Sequence, residues 1–325
     1  MDKGKKVGVV LRLALVLLLL FVLLFSLLMI ARNTIASRRV EEPYRTRTVV
    51  YDGVEYYPRQ DIDVLLIMGI DKYGPVEASN SYNNDGEADT LLLLVFDHTN
   101  EQIHALNINR DTMAEIPVLG IGSKPAGTTY AQLALSHTYG SGLEDSCENT
   151  RLAVSKVLGD VRIDHYVAMN MDVIGILNDA VGGVTVNVTE DFSASGSDIP
   201  MGETTLHGNQ AIDYVRFRKN VGDERNISRM ERQMEFVDGF FTCLRTKLET
   251  DSTFVLTTYD EASDYIVTDC STTVLTSMLE RYRDYEFAPV QSLPGENREG
   301  EEFMEFYLDE QARDALVMDL FYAPK

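Results

Sequence analysis

The sequence predicts an α/β fold: a layered central β-sheet covered by helices, preceded by one transmembrane helix. Three observations carry this. Short continuous apolar runs such as DVLLIMGID and TLLLLVFD suit strands buried on both faces. Segments with helical spacing interleave with the strands, as in a layered domain. From Leu13 to Ala31 the chain runs nineteen residues without a charge, enough to cross a hydrocarbon core as a helix.

That apolar segment follows Lys3, Lys5, Lys6 and Arg12 and precedes Arg32, Arg38 and Arg39. A cleaved leader has a shorter apolar core and a small-x-small cleavage site, and RNTIASRR is a poor one, so the segment reads as an uncleaved anchor. The flanking charges nearly balance, and orientation rests on length instead. A short Lys-rich tail (1–12) stays cytoplasmic, 13–31 spans the membrane, 32–60 forms an extracellular stalk, and 61–325 forms an extracellular domain. The expected location is the cell membrane, single-pass.

The formal net charge is −22, and without residues 1–32 the chain keeps 24 basic against 50 acidic residues. So acidic a surface argues against nucleic acid and against broad adhesion to anionic lipid. Cys147, Cys243 and Cys270 allow at most one internal disulfide, and the sequence does not choose the pair. No CxxC or Cys/His cluster points to zinc.

In chain order, the strand DVLLIMGID leads to a Gly/Asn/Ser-rich loop over 72–88, then to a hairpin of TLLLLVFD and QIHALNIN around HTNE. TYAQLALSHTYG (129–140) and CENTRLAVSKVLG (147–159) read as helices. HYVAMN and VTVNV read as strands flanking a helix that stops at Gly182-Gly183. NQAIDYVRFR and the segment from Ile227 to Thr250 read as helices. Helix 272–283, strands 285–290 and 303–307, and helix 309–322 complete the domain, with no internal repeat.

Residues 214–233 gather five arginines and a lysine. From Ile227 onward, Met230, Met234, Val237, Phe241, Leu244 and Leu248 form a core-facing seam, with Asn226 as a helix cap. Arg229, Arg232 and Gln233 fall on the opposite side of the wheel, which alone suits a solvated face. Arg216 and Arg218 arrive just before, so two elements each offer a pair of guanidinium groups, the side chain that forks onto phosphate. Asp71 ends the first buried strand and Asp89 begins the second, where α/β sheets bind ligands and where hard carboxylates suit Mg²⁺. Arg110-Asp111 leaves the third strand similarly; the alternative there is a surface ion pair. His137, His165 and His207 lack ligand spacing and read as structural.

In this order LLIMGID, ADTLLLLVFD, NINRDT, DHYVAMNMD, LNDAVGGVTVNV and QAIDYVRFRKNVGDERNISRMERQ resemble the LytR–CpsA–Psr family of cell-wall polymer ligases, over roughly residues 60–245. The resemblance implies a Mg²⁺-dependent phosphotransferase. It would move a glycopolymer such as teichoic acid or capsular polysaccharide from an undecaprenyl-pyrophosphate carrier to peptidoglycan, releasing undecaprenyl phosphate. It also implies that Asp71 and Asp89 bind metal and that Arg110, Arg216, Arg218, Arg229 and Arg232, with Gln233, hold the pyrophosphate. Asp71, Asp89, Arg110 and Asp111 would form the catalytic group, with the general base open among Asp71, Asp89, Asp111 and Asp223. The apolar runs at 62–70, 90–96 and 171–186 could line a lipid tunnel or simply form core.

The chain departs from the family pattern in three places. Glu87 stands where the family often has arginine, Asn109 where proline is usual, and Asn226 where aspartate is usual, with Asp223 or Arg225 nearby. Two other readings stay open: a non-catalytic binder of polyprenyl phosphate or wall glycan, and a hydrolase of the lipid-linked pyrophosphate.

Overall fold

The computed structural model describes residues 47–217, 220–221, 226–251, 253–301 and 303–325, with backbone alone at 226, 227 and 230. The expected membrane span, the tail before it and the first part of the expected stalk lie outside the described residues. Among the described residues, no helix is long and apolar enough to cross a membrane. The chain forms two compact units: one takes in residues up to Gln60 and Phe321–Lys325, the other Asp61–Leu320.

In the first unit, β1 (Val49–Tyr51) and β2 (Val54–Pro58) pair antiparallel across Asp52-Gly53. Both turn residues have positive φ, 47° and 77°, the left-handed geometry of tight hairpin turns. Tyr322–Pro324 adds a third, antiparallel strand on β2. Residues 49–58, read from the sequence as part of a stalk, are therefore strands.

The second unit is built on a seven-stranded sheet. The strands β3 (Ile62–Ile70), β4 (Ala88–Asp97) and β5 (Gln102–Ile108) form an antiparallel meander. A hairpin of β6 (Met113–Leu119) and β7 (Pro125–Gln132) follows, then α1 (Glu144–Val157). Next, β8 (His165–Asn170) returns parallel to β3, and α2 (Asp172–Ala180) follows. Gly182 and Gly183 stop that helix with φ of 96° and 92°, as the sequence suggested. A separate two-stranded sheet joins β9 (Thr185–Val188) to β10 (Gly202–Thr205). After it come the helices α3 (Asn209–Arg216), α4 (Asn226–Thr250) and α5 (Phe254–Ala262). Edge strand β11 (Ile266–Thr268) pairs with β8, and α6 (Thr272–Tyr282) precedes two short strands, β12 (Glu286–Phe287) and β13 (Gln291–Ser292), both parallel to β5. Hairpin β14 (Gly295–Glu299) and β15 (Met304–Leu308) leads to α7 (Glu310–Phe321).

Residues 129–140, expected as a helix, split instead: 129–132 belong to β7 and Leu133–Thr138 form a 3-10 helix. The apolar positions there match a helix only because a short strand and a tight turn happen to adjoin. The strand expected at 184–188 forms but pairs outside the central sheet.

The two faces of the central sheet differ. Leu66, Met68, Leu91, Leu93 and Leu106 are fully buried, with α1 packed along β8 and β11. On the other face Leu65, Ile67, Leu92, Leu94, Ile103 and Val167 line a large cavity. Strand side chains alternate between faces, so one uninterrupted apolar run supplies both a packed core and a cavity wall.

The long loop before β4 is pinned by Asn84. Its amide donates to the carbonyls of His137 (2.9 Å), Thr138 (3.2 Å) and Gly140 (3.3 Å), and its Oδ1 accepts from Gly86 N–H at 2.8 Å. His137 closes the contact, its Nδ1 lying 2.8 Å from the Gly86 carbonyl, and burial pushes its pKa down, so the ring is a neutral structural group. Replacing Asn84 with Ala orphans buried carbonyls and should cost about 2–3 kcal/mol. Urea unfolding of Asn84→Ala against the parent measures this; an unchanged midpoint contradicts the pinning role.

Candidate functional site

Four strand ends meet on one edge of the central sheet. Antiparallel pairing puts the end of β3, the start of β4 and the end of β5 side by side, and β8 runs parallel to β3. Asp71 follows β3 on the same face as Leu65, Ile67 and Gly69, and all four line the cavity. Asp89 gets there differently. Strict alternation with Thr90 and Leu92 would turn it toward the packed core. The register slips between Gly69 and Ile70, where Thr90 pairs with Gly69 and Ala88 with Ile70. Asp89 is the extra residue of a β-bulge, which re-aims its side chain toward the cavity. Gly69 leaves room for this: a Cβ there would lie 3.0 Å from Thr90 Cβ.

Arg110, just past β5, holds the carboxylates together. Its Nη1 pairs with Asp89 and lies 3.4 Å from Glu87, and its Nε lies 3.5 Å from Asp111. Burial works against its charge, but Asp89, Asp111 and Glu87 outweigh this and raise its pKa. Burial also raises the pKa of Asp111, helped by Asp89 and opposed by Arg110 and Arg229. The Asp111 carboxylate accepts from Gln132 Nε2 at 3.1 Å, so β7 helps to place it.

The helical side brings Arg216, Arg229 and Gln233 to the same mouth. Arg216 ends α3; it lies 3.9 Å from Asp71 and stacks over Tyr73 at 5.3 Å. Along α4, Arg229 and Gln233 share a stripe with Val237 and Phe240 that faces the cavity. Over residues 229–242, Glu231, Asp238 and Thr242 are exposed. The arginines are therefore not on a solvated face.

Arg232 goes elsewhere. It is 7% exposed and does not line the cavity. Its Nε donates to the Tyr214 carbonyl at 2.9 Å, while its two terminal nitrogens reach Glu190 and the Phe217 carbonyl. The guanidinium also covers the Phe192 ring at 5.4 Å. Gln233 Nε2 donates to the Val215 carbonyl at 3.0 Å. Together these two residues cap the end of α3, whose last carbonyls have no partner within the helix. Arg218, Asp223 and Arg225 lie outside the described residues.

The cavity behind the mouth has a volume of about 1840 Å³. Ordinary small-molecule pockets span roughly 300–1,000 Å³. Its inner wall is apolar, with the sheet face opposed by Phe240, Phe241 and Leu244 of α4 and by Leu275, Met278 and Leu279 of α6. Only the mouth carries Asp71, Glu87, Asp89, Asp111, Arg110, Arg216 and Arg229 together. Phe303, Met304 and Glu305 wall the mouth from the β14–β15 turn and β15; the strand expected at 303–307 carried no sign of this role. Such an exposed hairpin tip carries no periodic signal.

The LytR_cpsA_psr family model matches residues 31–319. The chain is 30% identical over 186 residues to the polyisoprenyl-teichoic acid–peptidoglycan teichoic acid transferase TagU of Oceanobacillus iheyensis, covering 56% of this chain and 52% of that one. Identity to the transferase of the same name from Halalkalibacterium halodurans is 35% over 181 residues, or 55% and 52% of the two chains. The match thus spans about half the length of these relatives. The fold is similar to that of TagT bound to LI-WTA, with a TM-score of 0.60 and 20% identity over 80% of this chain and 90% of the other.

Arginines at the mouth and the capping arginine should respond differently to substitution. Arg232→Ala leaves Glu190 buried without its ion-pair partner and should cost about 3–5 kcal/mol of stability. Arg216→Ala and Arg229→Ala should leave the melting temperature nearly unchanged, yet weaken a polyprenyl pyrophosphate roughly 10- to 100-fold. Calorimetric melting alongside ligand titration separates the two classes. Equal melting losses in all three variants would contradict the division.

Proposed function

The chain belongs to the LytR–CpsA–Psr family, and from that premise we propose that it is a phosphotransferase. It moves a glycopolymer from an undecaprenyl-pyrophosphate carrier to a sugar hydroxyl of peptidoglycan and releases undecaprenyl phosphate. One observation carries this reading: an apolar cavity too large for a small metabolite opens at its mouth into a cluster of arginines and carboxylates. That shape and polarity fit a long lipid with a densely charged head.

In the reaction the acceptor oxygen forms a bond to the phosphorus that carries the glycopolymer, and the bond from that phosphorus to the bridging oxygen breaks. Bridging oxygen and electron pair leave with the lipid phosphate. Arg110, Arg216 and Arg229 neutralise the pyrophosphate and hold it for attack, a mostly electrostatic contribution. Arg110 must exchange part of its pairing with Asp89 and Glu87 for phosphate oxygens. Asp111, half-buried beside Arg110, takes the acceptor's proton; burial raises its pKa, which makes it a better base than an ordinary carboxylate. Apolar walls exclude water from the lipid side, favouring the sugar hydroxyl over hydrolysis.

The residues present fit a Mg²⁺ ion. Among the described residues, the carboxylates of Asp71, Glu87, Asp89, Asp111 and Glu305 outnumber the guanidinium groups of Arg110, Arg216 and Arg229 at the mouth, and an added pyrophosphate would increase that negative charge. Asp71 and Asp89 offer hard oxygen donors from adjacent strand ends, and Glu87, in place of arginine, increases the need for a cation. Bound there, Mg²⁺ would supply further charge neutralisation on the phosphate oxygens. The same reading uses 13–31 as the membrane anchor, keeps the tail cytoplasmic and puts 61–325 outside the cell.

Incubating the full chain in detergent with lipid-linked glycan pyrophosphate and peptidoglycan fragments tests the reading. Phosphate-linked glycan on peptidoglycan should appear with lipid phosphate, only when Mg²⁺ is present. Free glycan phosphate instead would mark a hydrolase, and tight binding without turnover a binder. The pH dependence should show an acid limb above the ordinary carboxylate range, because activity falls as Asp111 gains its proton. Asp111→Asn should remove that limb and about 10²–10⁴ of the rate; a surviving limb would reassign the base.

A further inference from the structure

A second cluster of ligand-type side chains lies at the far end of β8. In register, Thr268 of β11 pairs with Val167, so two residues farther on Cys270 falls opposite His165. Between them, the Asp269 carboxylate accepts from Tyr166 N–H at 2.9 Å, which fixes its orientation. Its Oδ2 lies 3.3 Å from His165 Nδ1, and its Oδ1 lies 3.8 Å from Cys270 Sγ. Ligand atoms of all three residues lie within 4.8 Å of one another. His165 and Asp269 are one-third exposed, while Cys270 is buried at the base.

We propose that His165, Asp269 and Cys270 form a binding site for a borderline transition metal, zinc the best match, with its fourth position open to solvent. Metal–ligand distances of about 2.0–2.3 Å set tetrahedral edges of roughly 3.3–3.8 Å, which match the Asp269–His165 and Asp269–Cys270 separations of 3.3 and 3.8 Å. A thiolate and an imidazole select against Mg²⁺ and Ca²⁺. The cluster is not part of the cavity mouth: Asn170, at the mouth end of β8, is five residues from His165, roughly 16 Å along a strand. Bound metal would tie the three-residue edge strand β11 to β8. It would also brace the start of α6, whose Leu275 and Met278 wall the cavity.

Cobalt(II) reports the site directly, because cobalt–thiolate bonds absorb in the near ultraviolet. Titrating the metal-stripped full chain should give that band at one equivalent, with zinc displacing it. Cys270→Ser should abolish the band and Asp71→Asn should leave it intact. Should Cys270→Ser fail to fold, His165→Gln at a part-exposed position carries the test, weakening cobalt by more than about 100-fold. No thiolate band in the parent, or an undiminished one in His165→Gln, overturns the site.

Discussion

The last carbonyls of α3 must find donors, and the way they do so organises the mouth of the cavity. Arg232 reaches the carbonyls of Tyr214 and Phe217, and Gln233 that of Val215, so the first part of α4 serves as the cap of α3. A buried guanidinium is costly to desolvate unless every donor is used. Glu190 and the Phe192 ring supply its remaining partners. With α3 ended by these contacts, Arg216 is delivered beside Asp71 and Tyr73. One turn earlier on α4, Arg229 points into the same space. A residue that touches no substrate thus sets the position of two that would.

The opposite wall solves a different problem. Three carboxylates, Glu87, Asp89 and Asp111, share one guanidinium. Arg110 keeps them close in the free protein while leaving a surplus of negative charge. Under the proposed function, a bound cation and an anionic ligand would each favour the other at this mouth through electrostatics. Glu87 adds to the surplus: an arginine at the same position would cancel it, leaving two guanidinium groups against two carboxylates.

Much of this was legible in the sequence, because strand runs and helix periodicity follow directly from burial. The buried strand run expected over 63–71, the hairpin that follows it, the helix expected from Ile227 and the glycine stop at 182–183 all form, the helix taking in Asn226, which was expected as its cap. Asp71, Asp89, Arg110, Asp111, Arg216, Arg229 and Gln233 all line one cavity. Arg232 was misjudged for a physical reason. A helical wheel ranks positions by angle about one helix, and it has no term for the neighbouring helix end that needs donors. The bulge at Asp89 was equally hidden, since a one-residue slip depends on pairing between strands. The hairpin at 113–132 was lost because its outward residues are mixed in character, and a strand joined to a 3-10 turn imitates helical spacing.

The two-faced sheet also explains how a domain can keep so large an apolar cavity. Leu66, Met68, Leu91 and Leu93 are fully buried on one face, so the sheet has a core that does not require the other face to be filled. A second core, containing Val184, Phe192, Leu206 and Tyr214, is closed by Phe236, Phe240 and Cys243 of α4. Helix α4 is thus anchored on one side and free to wall the cavity on the other. Apolar surface left on that cavity side is unfavourable in water at roughly 25 cal/mol per Å². A lipid that covers it recovers this free energy, so occupancy of the cavity and stability of the fold are linked through mass action. Under the proposed function, a lipid tail would supply affinity remote from the reacting phosphorus and leave the arginines and carboxylates at the mouth to act on the charge that moves.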